Sequence, residues 1–235
     1  MSETANTRKI ITAAMLAIGD ELLSGRTRDK NIGHLATTLT VEGIELKEVR
    51  IVSDEEDAIV DAVNALRSRY DYVFTSGGIG PTHDDITADS MAKAFGVSID
   101  HDPRAMELLT EHYKKQKMEF TPARQRMARI PDGADLIDNP VSTAPGFKIG
   151  NVHVMAGVPS IFQAMLENVM PSLETGQKVI SKHVECPYGE GTIGDPLAEI
   201  QKSNPYVAIG SYPKFDGKRY STQIVVRSRD TDKID

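Results

Sequence analysis

Three times before Pro171 the chain repeats one pattern: a short apolar run, a glycine-bearing turn, then apolar residues at helical spacing. Ala13 to Ile18 runs into Gly19-Asp20-Glu21, and Tyr72-Val73-Phe74 runs into Thr75-Ser76-Gly77-Gly78-Ile79-Gly80-Pro81-Thr82. Lys148 to Met155 runs into Ala156-Gly157-Val158-Pro159. Strands that alternate with helices must be joined by crossovers, and crossovers build a largely parallel sheet covered on both faces. The expected fold class is therefore α/β. In such sheets ligands collect where the strands end. The three turns, far apart in sequence, are expected to converge there.

The segments between fit the same scheme. Asn31 opens a helix with Ile32, Leu35, Ala36 and Leu39 on one face, closed by Gly43. Ile44 to Val52 reads as a strand whose apolar phase slips between Leu46 and Val49, the mark of a bulge. Ser53 with Glu56 fits a capping box ahead of Ile59, Ala62, Val63 and Leu66. Helices are also expected over Ala88 to Phe95, from Asp102-Pro103, from Thr121-Pro122 and after Pro159, with Ile161 or Phe162 inward. A strand signal lies at Ala134 to Ile137. Residues 1–9 read as a flexible tail, 10–172 as the main domain and 178–235 as a small α+β appendage. The appendage has a strand over Lys178 to Pro187, a helix over Pro196 to Ser203, and strands over Tyr206 to Tyr212 and Tyr220 to Arg229. It holds too few residues for a large core of its own. Asp230-Thr231-Asp232 looks like a helix start with almost no helix behind it, the expectation being a shortened or frayed end.

Composition narrows the function classes. Of 235 residues, 40% are hydrophobic and 26% charged, as in ordinary globular proteins. A net charge of -7 argues against nonspecific nucleic-acid binding, which needs a basic surface. Cys186 is the one cysteine, read as structural, so no intrachain disulfide forms and a reduced, cytoplasmic setting is expected. No apolar stretch is long enough for a membrane span.

The chemistry concentrates in Thr75 to Thr87. Glycines let the backbone approach a ligand closely, and successive N–H groups in such a turn, ahead of a helix, form an anion-binding concavity. Taken singly, a Gly-Gly-x-Gly stretch is usually only a turn, and paired aspartates before a helix are usually caps. Together at one strand-to-helix junction, Asp84 and Asp85 beside a phosphate cradle point to a hard divalent cation between protein and ligand. His83 is a candidate proton carrier, though an exposed loop histidine is more often idle.

Gly19-Asp20-Glu21-Leu22-Leu23 with Asn31, Gly77-Gly78-Ile79-Gly80-Pro81-Thr82-His83-Asp84-Asp85-Ile86-Thr87, Ala144-Pro145-Gly146-Phe147 and Gly157-Val158-Pro159 together resemble the molybdopterin-binding, MoaB/MogA-like domain. The Gly-Pro-Thr-x-Asp-Asp form is closest to the N-terminal domain of the competence-damage-inducible protein CinA. The resemblance covers about residues 10 to 172, and more weakly the appendage, which looks like CinA's small KH-like domain.

The resemblance implies a three-layer α/β fold and a homo-oligomer, with a pocket for a pterin such as molybdopterin or for a nucleotide diphosphate. It also implies divalent-metal-dependent hydrolysis of a diphosphate bond, as in ADP-ribose; related domains fused to FAD synthases are credited with FAD hydrolysis. On that reading Asp84 and Asp85 hold Mg2+, Mn2+ or Co2+, and Asp20 or Glu21 adds a ligand or a base. Gly77, Gly78 and Gly80, with Thr75, Ser76 and Thr82, hold the diphosphate. Gly19, Asn31, Pro81, Thr87, Ala144, Pro145, Gly146, Gly157, Val158 and Pro159 complete the binding surface. The deamidase domain that follows in full CinA proteins is lacking, so nicotinamide-nucleotide deamidation is not expected. Two positions depart from the family: Ser142 replaces a frequent glycine, and Ile161 a frequent glutamate. The rival readings are a non-catalytic pterin or nucleotide carrier and adenylyl transfer to molybdopterin.

Overall fold

The computed structural model describes residues 10–234. The tail expected over residues 1–9 lies outside the described residues. The chain divides into two compact units, one ending at Gly176 and the other starting at Gln177.

The larger unit opens with β1 (Ile11–Ile18), α1 (Asp20–Leu23), α2 (Asn31–Val41), β2 (Ile44–Val52), α3 (Glu56–Arg67), β3 (Tyr72–Ser76) and α4 (Thr87–Phe95). It continues through β4 (Ile99–His101), α5 (Pro103–Lys115), α6 (Pro122–Gln125), β5 (Arg129–Pro131) and β6 (Asp135–Ile137). It closes with β7 (Gly146–Ile149), β8 (Val152–Met155) and α7 (Pro159–Val169). Six strands form one sheet in the order β2-β1-β3-β8-β7-β6. The first four are parallel, while β7 and β6 run antiparallel to their neighbours. The sheet is thus mixed and mostly parallel. A separate antiparallel pair, β4 with β5, was not legible in the sequence.

Strand β1 shows why the fold has three layers. Its side chains alternate between faces, yet both faces are apolar. Ala14, Leu16 and Ile18 pack with Ile59, Val63 and Leu66 of α3, Met91 of α4 and Leu109 of α5. Ile11, Ala13 and Met15 pack with Leu35 and Leu39 of α2 and with Phe162, Met165 and Leu166 of α7. A continuous apolar run is what a strand covered on both sides requires. The expected bulge is present: pairing with β1 passes from Leu46 to Glu48 and skips Lys47.

Two local expectations are corrected and one alternative is resolved. Ser53 does not cap α3; Glu55 is the N-cap residue and no side chain bonds the free amides there. Lys148 to Met155 is not one strand but the hairpin β7–β8, because Gly150 at φ 56° and Asn151 form a two-residue turn. Inward on α7 sits Phe162, fully buried, while Ile161 packs at the margin of that core.

The smaller unit is β9 (Ile180–Cys186), α8 (Glu190–Ser203), β10 (Ala208–Phe215) and β11 (Tyr220–Ser228), with an antiparallel sheet in the order β10-β11-β9. Helix α8 starts at Glu190, six residues before the expected Pro196, which lies inside it. Asp230 caps a single 3-10 turn over Thr231–Lys233. No helix among the described residues is long and apolar enough to cross a membrane.

Candidate functional site

Because β1, β3 and β8 are neighbours in the sheet, the turns that follow them are forced side by side. Gly77 donates its N–H to Met155 O at 3.2 Å, tying the β3 turn to the end of β8. Gly77 takes φ 112°, and a Cβ there would lie 2.2 Å from Ile18 O at the end of β1. A Cβ on Gly157 would meet Gly77 Cα at 3.2 Å. Three strand ends meet around one glycine that has no space for a side chain.

Asn31 locks the convergence. At the first turn of α2 it is 4% exposed and donates through Nδ2 to Ser76 Oγ (2.7 Å) and Gly157 O (2.8 Å). Its Oδ1 and the Thr75 Oγ1 are buried without partners among the described residues, so two polar atoms beside the turns remain to be satisfied. The residue that caps α2 is Asp29, whose carboxylate accepts from the amides of Asn31 and Ile32. This frees the Asn31 side chain for the site.

Among the described residues the Gly78, Ile79 and Gly80 amides donate to no acceptor, whereas Gly78 O accepts from the Thr87 amide at 3.0 Å and Gly77 O from the Thr87 hydroxyl at 3.0 Å. Thr87, fully buried, is therefore a brace for the turn. Asp85 folds back: its Oδ2 accepts from Thr82 N at 2.8 Å and Thr82 Oγ1 at 2.5 Å. Asp84 projects outward with its side chain 65% exposed. The Thr82 hydroxyl is the main influence holding the Asp84 carboxyl below its ordinary range, ahead of Asp84's own amide and the charge of His83. His83 is almost wholly exposed.

The loop after β2 adds an acid not singled out in the sequence. Asp54 accepts from the Asp20 amide at 3.0 Å. Burial pushes the Asp54 carboxyl up, and the charges of Asp20, Glu21 and Asp84 push the same way. Asp54 thus lies within electrostatic reach of three other acids. Among the described residues no three Asp, Glu, His or Cys side chains are grouped to hold a cation by themselves. The available donors are Asp84 and the Oδ1 of Asp85. That set fits a hard cation arriving with a ligand, since Mg2+ is commonly held by one or two carboxylates plus phosphate oxygens.

On the other side of the turn, Gly78, Gly80, Asp85, Arg126, Arg129 and Pro145 line a small pocket. Pro145 is brought there by Asn139, which is 2% exposed. Asn139 accepts from the amides of Val141 and Ser142 and donates to Ser142 Oγ and Ala144 O. The Ser142 hydroxyl thereby tightens this loop, and the positive φ of 66° falls on Thr143. Gly146 belongs to β7, where a Cβ would meet Met165 Cε and Val154 O at 2.3 Å, so it serves packing. Val158 precedes α7 and Pro159 is its first residue. Ile161, packed against the core, supplies no acid. Asp54, Asn139, Arg126 and Arg129 were given no site role in the sequence, where Arg126 and Arg129 were expected on the helix from Thr121-Pro122 that in fact ends at Gln125; only the placing of Asp54 just past a strand end could have flagged it.

Residues 14–175 match the family described as "Probable molybdopterin binding domain", and residues 178–235 match the middle domain of FAD synthase. A Pyrobaculum arsenaticum protein is 37% identical over 211 residues, covering 86% of this chain and 80% of that protein. A CinA-like protein of Desulfosudis oleivorans is 34% identical over 214 residues, 86% of this chain and 52% of its own length, so the chain spans about half of that relative. The crystal structure of CinA from Thermoplasma acidophilum, a protein of unknown function, superposes with TM-score 0.64 at 33% identity, covering 69% of this chain and 98% of the other. With the turn after β3, the braced strand ends and these matches in hand, the chain belongs to the molybdopterin-binding domain family, on its CinA-like side.

Proposed function

We propose that this chain binds a nucleotide diphosphate in the cleft at the ends of β1, β3 and β8 and hydrolyses its diphosphate bond with a divalent metal. The observation that carries the reading is the Gly78 to Gly80 run of unspent amides, set against Asp84 and Asp85. The amides take phosphate oxygens, and the buried Asn31 and Thr75 oxygens accept from ligand hydroxyl or amino groups. Asp84, with Asp85 Oδ1, would hold Mg2+, Mn2+ or Co2+. Such an ion neutralises phosphate charge and lowers the pKa of an attacking water. Asp54, its carboxyl raised by burial, or Asp20 beside it would take that water's proton. Phosphate cleavage needs mostly positioning and charge neutralisation, so few groups suffice. The match to the FAD synthase middle domain supports FAD beside ADP-ribose as a candidate substrate. The protein acts as a homo-oligomer in a reduced, cytoplasmic setting.

Incubated with ADP-ribose or FAD and each metal in turn, the protein is expected to release AMP, and Asp84→Asn to abolish release with the fold intact. Ligand binding without AMP under every metal sinks the hydrolase reading. A carrier of a pterin diphosphate such as molybdopterin, or of a nucleotide, then stands in its place. That second reading is favoured by the engagement of Asp85 with Thr82, which leaves the cation few protein donors.

A further inference from the structure

We propose that Arg126 is an anion-recognition residue in the small pocket beside Gly78 and Gly80, its guanidinium taking a phosphate oxygen of the bound ligand. The inference rests on the reading of the cleft as a phosphate site and supplies the cation which that reading lacks. Asp20, Glu21 and Asp84 lie near enough to Asp54 for their charges to act on its carboxyl, so a diphosphate arriving at these strand ends meets negative charge and needs a fixed positive partner.

Two guanidinium groups line the pocket beside Gly78 and Gly80, and they differ in kind. Arg129 is spent: its Nη1 and Nη2 donate to the two carboxylate oxygens of Asp89 at 2.7 and 2.6 Å. Arg126, in the 3-10 turn after α6, has no carboxylate partner among the described residues. Its Nε is buried and donates to no atom of the described residues. Among the described residues its one side-chain hydrogen bond runs from Nη2 to Asp85 O at a long 3.3 Å. Buried N–H groups are almost always bonded, and a guanidinium offers its donors in a fork that matches phosphate oxygens. The bond to Asp85 O places this fork on the loop that carries both aspartates. Exchanging that weak contact for a phosphate oxygen spends the idle donor and offsets the ligand's charge in one step.

Calorimetric titration of inorganic pyrophosphate into the full chain tests this, with circular dichroism confirming the fold of each variant. Arg126→Met is expected to weaken binding about tenfold or more, the worth of one charge-assisted hydrogen bond, and to make the salt dependence shallower by the loss of one positive charge. Arg129→Met is expected to leave the salt dependence unchanged. If Arg126→Met fails to fold, Arg126→Gln, which is shorter and uncharged but still polar, is expected to show the same loss of affinity and of salt dependence. Pyrophosphate affinity equal to wild type in a folded variant overturns the inference and leaves the proposed function standing. Failure of the wild-type protein to bind pyrophosphate, ADP-ribose or FAD overturns both. Binding without turnover that is lost with Arg126 supports the inference and removes only the hydrolase reading.

Discussion

The two units are built from similar strands and helices but hold them by different means. In the larger unit β1 is buried along nearly its whole length and both faces of the sheet carry an extended apolar cluster. In the smaller unit α8 has no buried residue, and Val184, Ile200, Tyr206, Phe215 and Tyr220 are all exposed. Its order rests on the ladders of β9, β10 and β11 and on polar ties such as Gln201 to Val207 O and the Ile209 amide. The lesson is that a mostly parallel sheet can place turns at a site because both its faces are filled. A three-stranded antiparallel sheet needs no such filling to form its ladder, and it is the less expensive element to alter.

The comparison is broken most directly by truncating one side chain in each unit. Phe162→Ala, at a fully buried position, is expected to cost about 3–5 kcal/mol in urea unfolding. Ile200→Ala, at a position 50% exposed, is expected to cost less than about 1 kcal/mol. Equal costs would mean that the smaller unit has a core after all.

Next in size is the response to acid, which follows His153. This residue lies 1% exposed in β8, stacked on Phe74 at 5.2 Å, and burial, followed by the charge of Lys148, lowers its pKa from 6.5 to about 4. Its folded pKa is depressed, so between about pH 6.5 and 4 the unfolded chain binds the proton and the folded one does not. Stability is therefore complete above pH 6.5 and falls as pH drops towards 4, by roughly 3 kcal/mol in total at 1.36 kcal/mol per unit. His153→Phe should flatten the larger unit's profile over that window in pH-dependent denaturation. An unchanged profile would show that His153 is not the responsible group.

A smaller effect is expected at the site itself. Gly77→Ala sets a Cβ against Ile18 O at a strained φ, with an expected cost of about 1–3 kcal/mol and loss of ligand binding measured by calorimetry. Retained binding would mean that the strand ends need not be in contact. Smallest is the contrast between the paired acids. Asp85→Ala removes the acceptor of Thr82 N and is expected to cost about 1 kcal/mol, whereas Asp84→Ala is expected to leave the melting temperature unchanged while binding metal less well. Identical melting shifts would remove the distinction between a structural and an exposed aspartate.

Much of this was legible along the chain. The apolar run from Ala13 to Ile18, the slip between Leu46 and Val49, and the buried positions Ile59, Ala62, Val63 and Leu66 follow from period and composition, which are local quantities. So does the glycine stretch at Gly77. The hairpin at Gly150 was missed because its two short strands together read as one apolar run. Ser53 was misread because Ser-x-x-Glu also occurs where no cap forms, and the helix entry turned on Glu55 instead.

What the sequence by itself determined is the set of elements and the residue types at their ends, because side-chain periodicity and turn chemistry act over a few neighbours. Only the tertiary structure decided that β1, β3 and β8 lie side by side, that Asn31 reaches across to Ser76 and Gly157, and that among the described residues Arg129 meets a carboxylate while Arg126 does not. Those facts depend on which distant segments share a boundary. Sheet order and the competition of charges for partners are set by packing across the whole unit.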